Sequence, residues 1–182
     1  AGGGFGLTSL NDDTLVALGD IKAVFAAICG RNTVAQRDLE ERVQKLGIGN
    51  IRVFGFVENM WDFMKAADLI ITKAGGLTLA EALAVQLPVV IYNPLPGQEG
   101  RNARFLIRNG AAKRARDKEA MVRLAKSFLE DQRKLIRLRD NAADIRKPRS
   151  AQQAPRVILR AMEPELFTAD KILEDAQKED LS

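Results

Sequence analysis

A Rossmann-like α/β domain, a parallel sheet flanked by helices with extra helices at its C-terminal end, is the fold this sequence predicts. Three observations predict it: short apolar runs alternate with amphipathic segments of about three helical turns, several of those segments stop at a glycine, and glycine-rich turns lead from apolar runs into helices. The chain opens on Gly2-Gly3-Gly4-Phe5-Gly6 and a helical pattern to about Leu18. In a parallel α/β unit such a turn follows a strand, so a strand upstream of residue 1 is expected. Residues 23–29 read as a buried strand, 33–46 as a helix ended by Gly47, and 51–56 as a second strand. A short helix over 59–66, a strand over 69–73, a helix over 76–86 and a strand over 88–92 follow. A helix over 98–109 closes at Gly110, and the last short strand covers 111–115.

From Lys118 the pattern is helical and charged, with Met121, Leu124, Ala125, Phe128 and Leu129 on one apolar stripe. Pro148 and Pro155 punctuate a linker, 156–162 resumes a helix, and Pro164 starts an acidic segment. The expected organisation is a domain over residues 1–162 and an acidic helix or tail over 163–182.

Composition narrows the chemistry. With 46% hydrophobic and 29% charged residues, the 182-residue chain is globular rather than disordered. Its apolar runs fall far short of the roughly 20 residues that span a bilayer. No histidine and a single cysteine, Cys29, exclude a Cys/His zinc site, an internal disulfide and a Ser-His-Asp or Cys-His nucleophile built from this chain alone. Charge is uneven. Residues 163–182 carry seven acids against Lys171 and Lys178, which leaves the remainder with 26 basic and 17 acidic side chains. A basic body of this kind suits anionic partners such as nucleotides, phospholipid surfaces or nucleic acid, or is simply a set of solvated helix faces. Arg133, Lys134, Arg137 and Arg139 are the densest such run, read either as a solvated face or as a membrane-facing one.

Ligands of open α/β sheets bind at the carboxyl ends of the strands, so three junctions carry the chemistry. At the first, Gly2, Gly3 and Gly4 let a phosphate or an acceptor approach backbone N–H groups, or form only a tight turn. Gly4-Phe5-Gly6-Leu7-Thr8-Ser9 departs from the dinucleotide fingerprint, which makes a nicotinamide-dependent oxidoreductase a distant alternative. At the second, Ile70-Ile71-Thr72-Lys73-Ala74-Gly75-Gly76-Leu77-Thr78 runs a strand into a helix through two glycines. The N–H groups of Gly76, Leu77 and Thr78, the positive helix end and the Thr78 hydroxyl together suit a diphosphate. The alternative is a capping box in which Thr78 and Glu81 satisfy the helix's own donors. Glu81 has two acceptor oxygens that fit the hydroxyls of a ribose. At the third, Asn93-Pro94-Leu95-Pro96-Gly97-Gln98-Glu99 is a proline-stiffened turn that offers Gln98 and Glu99 to a sugar, or uses them as a cap and a first-turn acid. Cys29 reads as a small core residue, and Trp61 as a packing residue or a base-stacking one.

Gly55-Phe56-Val57-Glu58-Asn59-Met60, Thr72 through Ala82, Asn93 through Glu99 and Cys29-Gly30-Arg31-Asn32, in this order, resemble the C-terminal, donor-binding half of the GT-B glycosyltransferases that make glycolipids. That group includes monogalactosyldiacylglycerol synthase and the bacterial processive diacylglycerol glucosyltransferase, and the peptidoglycan N-acetylglucosaminyltransferase shares its architecture. The resemblance covers about residues 2–159. It implies that the backbone at Phe56 and Val57 receives uracil, that Gly75, Gly76, Leu77 and Thr78 hold the diphosphate, and that Glu81 holds the ribose. Gln98 and Glu99 fall to the donor hexose, and Asn102 to the sugar or phosphate side. It further implies an inverting transfer from a UDP-sugar to a lipid acceptor, with diacylglycerol the expected one and with no obligatory metal or other cofactor.

The same resemblance places the catalytic base in an N-terminal domain or partner chain that also binds the lipid, so this chain by itself is expected to bind donor without turnover. A cytoplasmic, bacterial protein peripheral to an anionic membrane surface, without a nucleic-acid partner, is the corresponding expectation. Alternatives are a UDP-N-acetylglucosamine transferase, of the peptidoglycan or two-chain type, and a non-catalytic nucleotide-binding module.

Overall fold

The computed structural model describes residues 10–147 and 149–162. Within them the order is α1 (Asp12–Gly19), β1 (Phe25–Ile28), α2 (Thr33–Lys45), β2 (Ile51–Phe54), α3 (Met60–Ala66), β3 (Ile70–Thr72) and α4 (Gly76–Ala84). β4 (Val89–Tyr92), α5 (Gln98–Arg108), β5 (Ala112–Ala115), α6 (Lys118–Glu130), α7 (Gln132–Ile145) and α8 (Ser150–Met162) complete it. The chain divides into two compact units, Ala1–Arg146 and Lys147–Ser182. Both Gly2-Gly3-Gly4 and the acidic segment 163–182 lie outside the described residues.

Local chemistry sets the ends of these elements. Asn11, Asn32, Asp117 and Asp131 each accept a backbone N–H at the start of α1, α2, α6 and α7. After α2, Gly47 takes the left-handed conformation (φ 67°), its N–H bonds to Gln44 and the next N–H to Val43, so the last carbonyls of the helix are satisfied. The same pair of bonds closes α4, from Gln86 to Leu83 and from Leu87 to Ala82, but there a glutamine holds the positive φ of 56°. Pro155, expected in a linker, lies inside α8, where its ring removes one backbone hydrogen bond without ending the helix.

Every strand pairing is parallel, as expected, but hydrogen bonding divides the strands into two sheets, β1-β2 and β3-β4-β5. A continuous doubly wound sheet requires a strand between β1 and β3, and none occupies that place among the described residues. A cavity of about 700 Å³ is lined there by residues of both sheets, including Phe25, Ala27, Ile70 and Thr72. β4 is the central strand of its sheet and explains the apolar run in the sequence. Val89 and Ile91 enter one core cluster with Met64, Leu79 and Leu106, while Val90 enters the other with Leu15, Leu39, Phe128 and Leu135. No described helix is long and apolar enough to cross a membrane.

Candidate functional site

The second and third junctions follow the carboxyl ends of the parallel strands β3 and β4. β3 ends in buried Thr72; Lys73, Ala74 and Gly75 then lead into α4, whose first residue is Gly76. The N-cap is Gly75, with no side-chain cap, and the first intrahelical bond runs from the Leu79 N–H to the Gly75 carbonyl at 3.0 Å. The capping-box alternative is therefore overturned, because Thr78 and Glu81 sit inside the helix rather than at its boundary. The N–H groups of Gly76, Leu77 and Thr78 stay at the positive helix end with no intrahelical acceptor. Thr78 and Glu81 are three residues apart and so share a helix face, both half-buried, and among the described residues neither side chain forms a hydrogen bond.

Neither glycine at this junction is demanded by the fold. Gly75 has an ordinary φ of −63°, and a Cβ there meets nothing within 4 Å. A Cβ on Gly76 meets only the Asn102 amide nitrogen at 3.7 Å, an ordinary contact. The bare backbone thus leaves open space in front of three unspent donors, which is what an anion with several oxygens needs.

Asn102 ties this junction to the next one. From α5 its amide nitrogen donates to the Ala74 carbonyl at 3.0 Å, so its first task is to hold the loop. The α5 turn is closed by Glu99, whose Oε2 accepts the Leu95 N–H at 2.7 Å, leaving its other oxygen unspent. Gly97, with φ 89° and ψ −119°, makes the turn a glycine position and serves as the N-cap in place of Gln98. Gln98 is exposed and makes no hydrogen bond among the described residues.

At the end of β2, Phe56 is 58% exposed and Val57 half-buried. The Arg31 guanidinium, in the turn after β1, stands 5.0 Å from the Phe56 ring centroid. Arg31 belongs to the Cys29-Gly30-Arg31-Asn32 motif, whose Gly30, with a positive φ of 63° at the strand end, is the local signal for its placement. Trp61 lies on α3 with Lys65 over its ring at 5.2 Å. The 700 Å³ cavity reaches Thr72, Lys73, Tyr92 and Asn93, but its described lining includes none of Gly75, Gly76, Thr78, Glu81, Gln98 and Glu99.

Residues 3–156 match the glycosyltransferase family 28 C-terminal domain. The chain is 38% identical over 124 residues to a processive diacylglycerol beta-glucosyltransferase of Bacillus mycoides, covering 68% of this chain and 32% of that protein. It is 37% identical over 134 residues to the Bacillus cytotoxicus protein of the same name, covering 74% and 34%. The chain therefore spans about a third of the length of these relatives. Among solved structures, Acinetobacter baumannii MurG superposes with a TM-score of 0.69 at 27% identity, over 88% of this chain and 48% of MurG. WaaG, a glycosyltransferase involved in lipopolysaccharide biosynthesis, shares the fold with a TM-score of 0.63 at 20% identity, over 85% and 44%.

Proposed function

This chain belongs to the glycosyltransferase family 28 C-terminal domain family, and from that premise we propose that it is the donor-binding part of an inverting hexosyltransferase that uses a UDP-sugar and a lipid acceptor, diacylglycerol. The observation that carries the reading is the start of α4. Three N–H donors and two glycines the fold does not require stand at the carboxyl end of β3, with Thr78 and Glu81 unspent on the helix that begins there. The names of the Bacillus relatives support diacylglycerol as acceptor and glucose as the transferred sugar.

In this reading the diphosphate sits on the Gly76, Leu77 and Thr78 N–H groups, the ribose on Glu81, uracil against the backbone of Phe56 and Val57, and the hexose against Gln98 and Glu99. The acceptor hydroxyl attacks the anomeric carbon as the bond from that carbon to the diphosphate oxygen breaks, and its proton passes to a general base. Charge grows on the departing diphosphate, and the helix end is already oriented to stabilise it. Asn102 contributes by fixing the Ala74 carbonyl and hence the loop. Anchoring on the membrane face of a bacterial cytoplasm belongs to the same reading.

Calorimetric titration of the chain with UDP tests it, alongside Gly76→Asp, which sets a carboxylate where the diphosphate belongs. Saturable binding lost in a folded variant is the expected result; equal binding by both refutes the site. The resemblance of the sequence to the peptidoglycan N-acetylglucosaminyltransferase favours a second reading, an N-acetylglucosamine donor. Displacement of bound UDP by UDP-glucose in preference to UDP-N-acetylglucosamine supports the first reading, and the reverse order the second.

A further inference from the structure

Two pairs of a cation over an aromatic ring occur among the described residues, and they differ in origin. Lys65 and Trp61 are four residues apart on α3, a spacing at which any helix brings side chains together. Arg31 and Phe56 are 25 residues apart, and they meet at 5.0 Å because the turns that carry them leave the paired strands β1 and β2 side by side. The ladder runs on past both strands, from the Cys29 N–H to the Phe54 carbonyl at 2.8 Å and from the Gly30 N–H to the Gly55 carbonyl at 3.2 Å. Gly30, in the left-handed conformation, then turns the chain so that Arg31 stands over the ring. The pair does little for the fold. Phe56 is 58% exposed and belongs to neither core cluster, Arg31 is exposed, and its guanidinium forms no ion pair among the described residues.

We propose that Arg31 selects the base of the bound nucleotide, taking uracil in preference to cytosine. The inference rests on the donor-site reading above, in which the backbone of Phe56 and Val57 receives the base. A guanidinium over an aromatic ring is held through its charge, and that contact spends none of its five N–H donors. Those donors therefore stand beside the base-binding backbone, fixed in place and ready for an acceptor. Uracil carries a carbonyl oxygen at position 4, where cytosine carries an amine. An N–H from Arg31 gains a hydrogen bond from the first and meets another donor in the second, so one side chain separates the two pyrimidines. A lysine in its place would bring the charge without the planar fork.

Calorimetric titration of the full chain with UDP and with CDP, which differ only along that edge of the base, tests the proposal. The parent should prefer UDP. R31Q should lose about tenfold in affinity for UDP and change little toward CDP, and R31K should lose nearly as much. K65Q, which removes the cation of the other pair, should match the parent, and circular dichroism and thermal unfolding should be unchanged in all three variants. Equal losses of UDP and CDP affinity in R31Q place the charge on the phosphates and overturn the proposal. So does UDP binding that R31Q leaves intact or that R31K fully restores. A parent that binds neither nucleotide overturns the donor-site reading and this inference with it, whereas a parent that binds UDP with R31Q unchanged overturns this inference alone.

Discussion

Asn102 on α5 donates its side-chain amide to the backbone carbonyl of Ala74 at 3.0 Å, so the helix that begins with Gln98 and Glu99 also holds the loop that begins α4. Two of the three candidate junctions are thereby mechanically coupled through one hydrogen bond. A side chain read from the sequence as a ligand contact has a positioning task already visible without ligand.

Asn102→Ala removes that bond and leaves a partly buried carbonyl to solvent. The expected cost is about 1 kcal/mol of stability, read by urea unfolding, together with weaker UDP binding in calorimetry. Asn102→Asp sets an acceptor against the carbonyl and should cost more than the alanine. If UDP affinity is unaffected by either change, the coupling between α5 and the loop has no bearing on the nucleotide.

Gly76→Ala separates the fold's needs from the ligand's. The added Cβ meets one ordinary contact, and alanine is the better helix former, so the melting temperature should stay level or rise, by no more than about 1 kcal/mol of stability. The same methyl group enters the space in front of the free N–H groups, so nucleotide affinity should fall about tenfold or more. A fall in stability with unchanged UDP binding would sink the site assignment.

Gln86 ends α4 in the left-handed conformation that glycine adopts without penalty. Gln86→Gly should stabilise the chain by about 0.5–1 kcal/mol, since relief of the backbone penalty exceeds glycine's extra unfolded-state entropy. Gln86→Val should destabilise it. Thermal unfolding of both variants checks the pair of signs.

Cys29 is buried, and burial, reinforced by the Glu40 carboxylate, pushes its thiol pKa up. A group whose pKa is higher folded than unfolded supports stability below the unfolded value and loses that support as pH rises through the folded one. Alkaline destabilisation should accordingly shrink in Cys29→Ala. In the parent, a thiol reagent at mildly alkaline pH should react slowly until urea is added.

Element order, the parallel α/β class and the turns after β3 and β4 were legible in the sequence because each is written in neighbouring residues. A run such as Val89–Tyr92, a closing Gly47 or a capping Asn32 acts within one or two turns of the chain. Family membership followed from the order of those turns, which no folding is needed to read. What only the tertiary structure decided is how polar groups far apart in sequence are spent. The α4 boundary at Gly75 freed Thr78 and Glu81 from capping; Asn102 reached Ala74 across 28 residues, and Arg139 reached Asp68. The split between β1-β2 and β3-β4-β5 belongs to the same class. Periodicity reports which face of an element is apolar, but which donor meets which acceptor depends on packing between elements, and that information is spread over the whole chain.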